Sequence, residues 1–248
     1  MHIFLVNDDG IGSPGILALY RAAKARGHEV SMCAPMRQQS AASHRFTLRG
    51  PLCVEPFERD GITGWAVDGT PADCVRVGLR GIVKTPVDVL ISGINEGYNA
   101  GIAVHYSGTV GAAMEGNFHH LPSIATSIHH EATPEMIEHL ADFTLRMAEQ
   151  YAHVGPLPCT ILNINAPCVA PERLGEPVYA PLDTGYFEDG YEKRDPDSNE
   201  YWLVDGFPRE APAEGTDMDW LEKGRITLTL MGNFGSADRA FWDSLALK

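Results

Sequence analysis

Short apolar runs alternate with segments of helical spacing from the first residues onward, and that alternation restricts the chain to an α/β architecture. Ile3 to Asn7 is a β-type run, followed by the turn-rich Asp8-Asp9-Gly10-Ile11-Gly12-Ser13. Pro14 suits a first helical turn, and Ile16, Leu17, Leu19, Tyr20 and Ala23 recur at helical spacing up to Gly27. Glu29 to Ala34 reads as a second strand closed by Pro35, Arg37 to His44 as a polar loop, and Arg45 to Pro56 as extended or hairpin structure. Thr70 to Val83 is a second helix. Val87 to Ser92 has the compact apolar character of a central parallel strand. A glycine-rich loop, Gly93 to Tyr106, leads into a helix over Ser107 to Asn117. Ser123 to Ser127 and Thr160 to Asn165 are strands, with the longest helix, Pro134 to His153, between them. This order predicts an α/β core over residues 1–168 with a Rossmann-like, doubly wound, mostly parallel sheet.

The pattern changes after Pro167. From Ala170 to Gly215 the chain is rich in Pro, Gly, Asp and Glu, with Tyr179, Tyr186, Phe187, Tyr191, Tyr201 and Trp202 interspersed and no helical period. Residues 169–248 therefore read as a protruding β-rich extension of hairpins, with a return strand at Arg225 to Met231 and a C-terminal segment.

Composition narrows the function. The chain has 248 residues, with 33 acidic side chains against 19 basic ones, a net charge of -14. A duplex-binding protein needs Lys and Arg to displace counterions, so duplex nucleic acid is not an expected partner. The apolar run at the N-terminus is interrupted by Asp8 and Asp9, too early for a signal peptide. No uncharged stretch approaches the roughly 18 residues of a membrane span. The five cysteines, Cys33, Cys53, Cys74, Cys159 and Cys168, are scattered and lack C-x-x-C spacing, which reads as reduced thiols in a cytoplasmic protein.

Four segments can carry chemistry. Asn7-Asp8-Asp9-Gly10 directly follows the first strand, where open parallel sheets bind ligands. Its adjacent carboxylates repel each other unless a cation offsets them, so the pair either holds a hard divalent metal or forms an Asx turn capping the first helix. Asn95, in Ser92-Gly93-Ile94-Asn95, falls past a central strand on the same sheet edge, and its amide oxygen suits a hard cation. Glycines at 93, 97 and 101 match neither the dinucleotide fingerprint nor a P-loop. In Tyr106-Ser107-Gly108-Thr109-Val110-Gly111 a loop meets a helix N-terminus, and its hydroxyls and free N–H groups either hold a phosphate or serve capping and close packing. In the polar loop after the second strand, Ser40 offers another oxygen and Arg37 a cation for an anion or a carboxylate, unless the loop is merely solvated. The histidine pairs His119-His120 and His129-His130 lack zinc-motif spacing and read as surface or cap residues. Glu115 orients a loop or faces solvent.

Together with Pro14-Gly15, Ala34-Pro35, Gly69-Thr70-Pro71-Ala72-Asp73-Cys74 and Ala112-Ala113, these motifs closely resemble the SurE family in order and register over most of residues 1–130. The family comprises survival protein E nucleotidases, metal-dependent acid phosphatases acting on nucleoside monophosphates. The resemblance implies a Rossmann-like core with an extension that swaps between subunits, and hence a homodimer or homotetramer. It implies catalytic roles for Asp8, Asp9 and Asn95, and one divalent metal per subunit, Mg²⁺ or Mn²⁺, held by Asp8, Asp9, Ser40 and Asn95. Ser107, Gly108 and Thr109 would form the phosphate pocket. The expected reaction is hydrolysis of nucleoside monophosphates at the 5' position, with 3'-nucleotidase and exopolyphosphatase activity on short polyphosphate as further activities. Departures from the family pattern fall mainly in the polar loop, where Met36 replaces Asp, Gln38 replaces Asn and Ala41 replaces Gly, and Ile102-Ala103 stands where acidic residues are common. A glycine using a positive φ or a close N–H approach is not matched by alanine. The alternative expectation is a catalytically impaired nucleotide- and metal-binding module of the same fold.

Overall fold

The computed structural model describes residues 1–185, 190–204 and 211–232. Tyr186, Phe187 and the C-terminal segment after 232 lie outside the described residues.

A nine-stranded sheet forms the centre. β1 (His2–Val6) pairs in parallel with β2 (Glu29–Pro35) on one side. β2 pairs with β4 (Ile62–Val67), which forms an antiparallel hairpin with the edge strand β3 (Val54–Arg59). On the other side β1 pairs in parallel with β5 (Val89–Glu96), followed by β6 (Ser123–Ile128) and β7 (Ile161–Ala166). β11 (Arg225–Met231) adds antiparallel to β7, and β8 (Gly175–Tyr179) closes that edge in parallel with β11. The strand order departs in opposite directions from the β1/β5 boundary, which makes that boundary the topological switch point. The doubly wound, mostly parallel α/β fold is the one the sequence pattern predicts.

Helices cover both faces. α1 (Pro14–Ala25) and α4 (Pro134–Val154) pack Ile16, Leu19, Leu140 and Leu145 on the side of Ile3 and Leu5. α2 (Pro71–Val77) and α3 (Gly108–Phe118) pack Cys74, Val75, Val110 and Ala113 on the side of Phe4 and Val6. The alternation along β1 therefore feeds two cores, as expected for a strand buried on both faces. α1, α2 and α4 each begin with Pro, where a missing N–H costs nothing, behind Ser13, Thr70 and Thr133. Thr70 and Asp73 complete a reciprocal capping box. Asp73 also accepts from the Thr47 N–H and hydroxyl at 2.8 and 2.9 Å, tying the long loop before β3 to α2.

Several boundaries differ from the sequence reading. The helix expected over 70–83 ends at Val77 and continues as a π-helical turn, Gly78–Ile82, because Gly78 and Gly81 weaken the α ladder. The strand expected to end at Ser92 runs on to Glu96, with a shift in its register against β6 between Ser92 and Asn95. Within the expected 93–106 loop, Gly101–His105 is a 3₁₀ helix. The β3/β4 turn is Asp60-Gly61, both at positive φ, the two-residue hairpin signal. In the C-terminal part, β9 (Gly190–Glu192) and β10 (Trp202–Val204) form an antiparallel pair exposing Tyr191, Trp202 and Leu203. A short helix, α5 (Asp217–Glu222), precedes β11.

One close approach positions α1. A Cβ on Gly15 would overlap the Ile94 carbonyl, so the first turn of α1 lies directly on the β5 backbone. Gly15→Ala is therefore expected to cost about 3 kcal/mol or more through overpacking. Urea unfolding should show a lower midpoint at unchanged slope; an unchanged midpoint would contradict this packing.

Candidate active site

The switch point brings the sequence-predicted residues together. Asp8 and Asp9 lie past the C-terminal end of β1, and Asn95 is near the end of the neighbouring β5. Asp8 is buried against the first turn of α3: the Thr109 hydroxyl donates to Oδ1 at 2.6 Å and the Thr109 N–H to Oδ2 at 3.2 Å. Gly108 makes this approach possible, because a Cβ there would stand 3.0 Å from Asp8 Oδ2. Thr109, expected at the phosphate, therefore spends both its hydroxyl proton and its N–H on Asp8. Ser107 is the N-cap of α3, its Oγ accepting from the Val110 N–H at 3.1 Å. That leaves the Ser107 proton for donation elsewhere.

Asp9 is held from two sides. Its Oδ2 accepts from the Glu96 N–H at 3.2 Å, next to Asn95, and its Oδ1 accepts from Gln38 Nε2 at 3.4 Å. Asn95 donates from Nδ2 to the Gly97 carbonyl at 2.8 Å, a bond that fixes the orientation of its amide. The N-cap of α1 is Ser13, with no side-chain cap bond; Asn7 braces the turn instead, its Nδ2 donating to the Gly10 carbonyl and to Ser13 Oγ at 2.8 and 2.7 Å.

The loop carrying Ser40 is tied down at both ends. The Gln39 N–H donates to the Asp8 carbonyl at 2.7 Å, while Ser43 donates from N–H and hydroxyl to the carbonyls of Tyr106 and His105 at 3.0 and 2.8 Å. Ser40 itself is exposed on the turn between them. One residue beyond Ser43, His44 Nε2 meets Glu115 at 2.9 Å, and Arg76 donates to the same carboxylate at 2.8 Å. Glu115, left open between orienting and solvent-facing roles by the sequence, thus joins α3, α2 and this loop. Burial alone would push its carboxyl up, but the bonds from His44 and Arg76 hold it below the ordinary glutamate value.

The opposite holds for the aspartate pair. Burial pushes the Asp8 carboxyl up against the opposing bonds from Thr109. Asp9 is pushed up to about 6, first by burial and then by the Asp8 charge beside it. Among the described residues neither aspartate forms an ion pair with Lys, Arg or His. Two adjacent carboxylates with no cationic partner suit a hard divalent cation. A cavity of about 470 Å³ opens beside them, lined by Asp9, Ser13, Met36, Arg37, Gln38 and Glu96.

A family model for the survival protein SurE matches residues 3–188. The chain belongs to the SurE family. A 5'-nucleotidase SurE of Maridesulfovibrio salexigens is 39% identical over 241 residues, covering 96% of this chain and 95% of the relative. A 5'-nucleotidase SurE of Solidesulfovibrio magneticus is also 39% identical, over 100% of this chain and 97% of its own. The crystal structure of the SurE protein from Aquifex aeolicus superposes with a TM-score of 0.82 at 32% identity, covering 99% of this chain and 98% of that one.

The departures from the SurE pattern now have locations. Met36 lines the cavity, and Gln38 reaches the carboxylate of Asp9. Ala41 adopts φ +56°, the left-handed region that favours glycine, so alanine is strained there. A further set of residues escaped the sequence reading. Asn99, behind Asn95, donates to Ser127 Oγ and is fixed through its backbone by Asn163 and Asn165 of β7, all at 2.8 to 2.9 Å. Polar residues alternating along a buried strand were the available signal.

Ala41→Gly is expected to raise stability by about 1 kcal/mol, or about 2 to 4 °C in melting temperature for a chain of this size. Glu115→Gln is expected to cost about 1 to 2 kcal/mol at pH 7. Because the Glu115 carboxyl is lowered on folding, its contribution is present above the ordinary value of 4.5 and is lost as pH falls through the lowered one. Wild type and variant should therefore converge in acid unfolding curves; a gap that widens below pH 4 would refute the sign.

Proposed function

We propose that the protein is a metal-dependent 5'-nucleotidase that hydrolyses nucleoside monophosphates to nucleoside and phosphate. The observation that carries this reading is the buried Asp8 beside Asp9, both pushed above the ordinary aspartate value with no cationic partner among the described residues, at the switch point of the sheet. Asp8, Asp9, Ser40 and Asn95 are the proposed ligands of one divalent ion per subunit, Mg²⁺ or Mn²⁺. When bound, such an ion neutralises phosphoryl oxygens and lowers the pKa of a coordinated water.

The chain's own residues have separate tasks in this proposal. Thr109 and the Gly108 approach hold Asp8 in place, Gln38 and the Glu96 N–H hold Asp9, and the Gly97 carbonyl orients Asn95. Ser107 donates its free proton to a phosphoryl oxygen at the start of α3. The cavity beside Asp9 receives the nucleoside, with Arg37 and Met36 at its wall. The same site is proposed to act on 3'-nucleotides and short polyphosphate. Residues 1–168 supply catalysis, and 169–248 supply a homodimer or homotetramer contact through exposed Tyr179, Tyr191, Tyr201 and Trp202. No helix among the described residues is long and apolar enough to cross a membrane, and the proposed compartment is the cytoplasm.

Phosphate release from a panel of nucleoside monophosphates, with Mn²⁺ and then with EDTA, tests the reading. Release should require the ion, and Asp8→Asn should lower it by about a thousandfold. Thr109→Val, which loosens Asp8 without removing it, should lower it by about ten- to a hundredfold. Nucleotide binding without phosphate release under either condition would favour the impaired binding module.

A further inference from the structure

The C-terminal ends of β6 and β7 gather three ligand atoms of different kinds. His129 and Glu131 follow β6, and Cys168 follows β7. One ring nitrogen of His129, one carboxylate oxygen of Glu131 and the Cys168 Sγ all lie within 4.8 Å of one another. Tetrahedral ligands bound at about 2.0 to 2.3 Å stand about 3.5 Å apart, so this set is little wider than one gathered around a single ion.

The surrounding bonds already hold the loops in register. The His129 N–H donates to the Ala166 carbonyl at 3.2 Å, and the Cys168 thiol donates to the Glu131 carbonyl at 3.6 Å. The Tyr98 ring meets His129 edge-on at 5.2 Å, and His130 stacks on it at 4.3 Å. The Glu131 N–H donates to His129 Nδ1 at 3.2 Å, so that nitrogen carries the lone pair. A pocket of about 300 Å³ adjoins the cluster, lined among others by Tyr98, Met218, Leu221 and Glu222. It leaves room for a fourth ligand, either water or the Glu222 carboxylate.

We propose that His129, Glu131 and Cys168 form a second cation site, for one zinc-class divalent ion, separate from the aspartate pair. Nitrogen, oxygen and sulfur together suit a borderline-soft ion such as Zn²⁺, whereas the all-oxygen set at Asp8 and Asp9 suits Mg²⁺ or Mn²⁺. The two sites sort ions by donor chemistry. On binding, the ion replaces the Glu131 N–H at His129 Nδ1 and leaves the ring proton on Nε2. Cys168 binds as thiolate, and its proton is released to solvent. The ion joins the loop after β6 to the loop after β7, beside Tyr98.

Co²⁺ titration of the reduced, metal-stripped full chain tests the assignment, because thiolate ligation gives a near-ultraviolet charge-transfer band that an all-oxygen site cannot produce. The band should saturate at one equivalent per chain, disappear on adding Zn²⁺, persist in Asp8→Asn and be absent in Cys168→Ser. Persistence in Asp8→Asn separates this result from any failure of the nucleotidase reading. His129→Asn should weaken Zn²⁺ binding, measured by competition with a chromophoric chelator, by about tenfold or more. Cys53→Ser, which removes another exposed thiol, should change neither readout. Should Cys168→Ser fail to fold, alkylation of the exposed thiol in the Cys53→Ser variant serves in its place, with the band expected to vanish on alkylation. No band in the wild type, or a band that survives in Cys168→Ser, overturns the site.

Discussion

Burial of the Asp8 carboxylate against the first turn of α3 is the contact on which the rest of the site depends. A buried carboxylate is costly unless donors replace its water, and Thr109 supplies two of them at the positive end of a helix. Gly108 is what lets the carboxylate come this near. The consequence reaches beyond one residue. The N-terminus of α3, which in isolation resembles an anion-binding site, is engaged by the protein's own acid. In the proposed function, phosphate charge is met by a cation on Asp8 and Asp9 and by the remaining Ser107 proton. An acidic chain of net charge -14 can accept an anionic substrate in this way without a basic surface.

A second layer of contacts keeps that arrangement in place. The loop from Met36 to His44 crosses the mouth of the site and has no regular secondary structure of its own, so its position rests on bonds to Asp8, His105, Tyr106 and Glu115. Its strained Ala41 shows that these anchors outweigh the local backbone preference at that residue. On the other side, Asn99, Asn163 and Asn165 bind the loop after Asn95 to β7. Asp8, Asp9 and Ser40 are thus carried on loops whose conformation is set by hydrogen bonds to the rigid sheet and helices beneath them.

Much of the fold was legible because local signals agree with it. Buried alternation in β1, Ser or Thr followed by Pro at three helix starts, and the apolar run of β5 each reflect a short-range preference. The Asp60-Gly61 hairpin was equally readable in principle, since both residues take the positive φ that a two-residue turn requires. The C-terminal strands were harder. β8 is largely exposed at the sheet edge, so its residues carry no alternation that marks a buried face. The histidines show the same limit, because spacing rules find ligands on one helix or loop, and Cys168 lies 37 residues from Glu131.

The sequence by itself determined most of the elements and their order, and it placed Asp8-Asp9 after the first strand and Ser107 at a helix start, while the strand expected to end at Ser92 runs on through Asn95. It also carried the family, since six motifs in order are specific where each alone is not. Only the tertiary structure decided which of these residues touch. Thr109 grips Asp8 across 101 positions, and Asn7 braces the turn before α1 through the Gly10 carbonyl and Ser13. Periodicity reports which face of an element is buried. The partner on that face depends on the register of β1 against β5 and on the placement of α3 over them, which are properties of the assembled sheet.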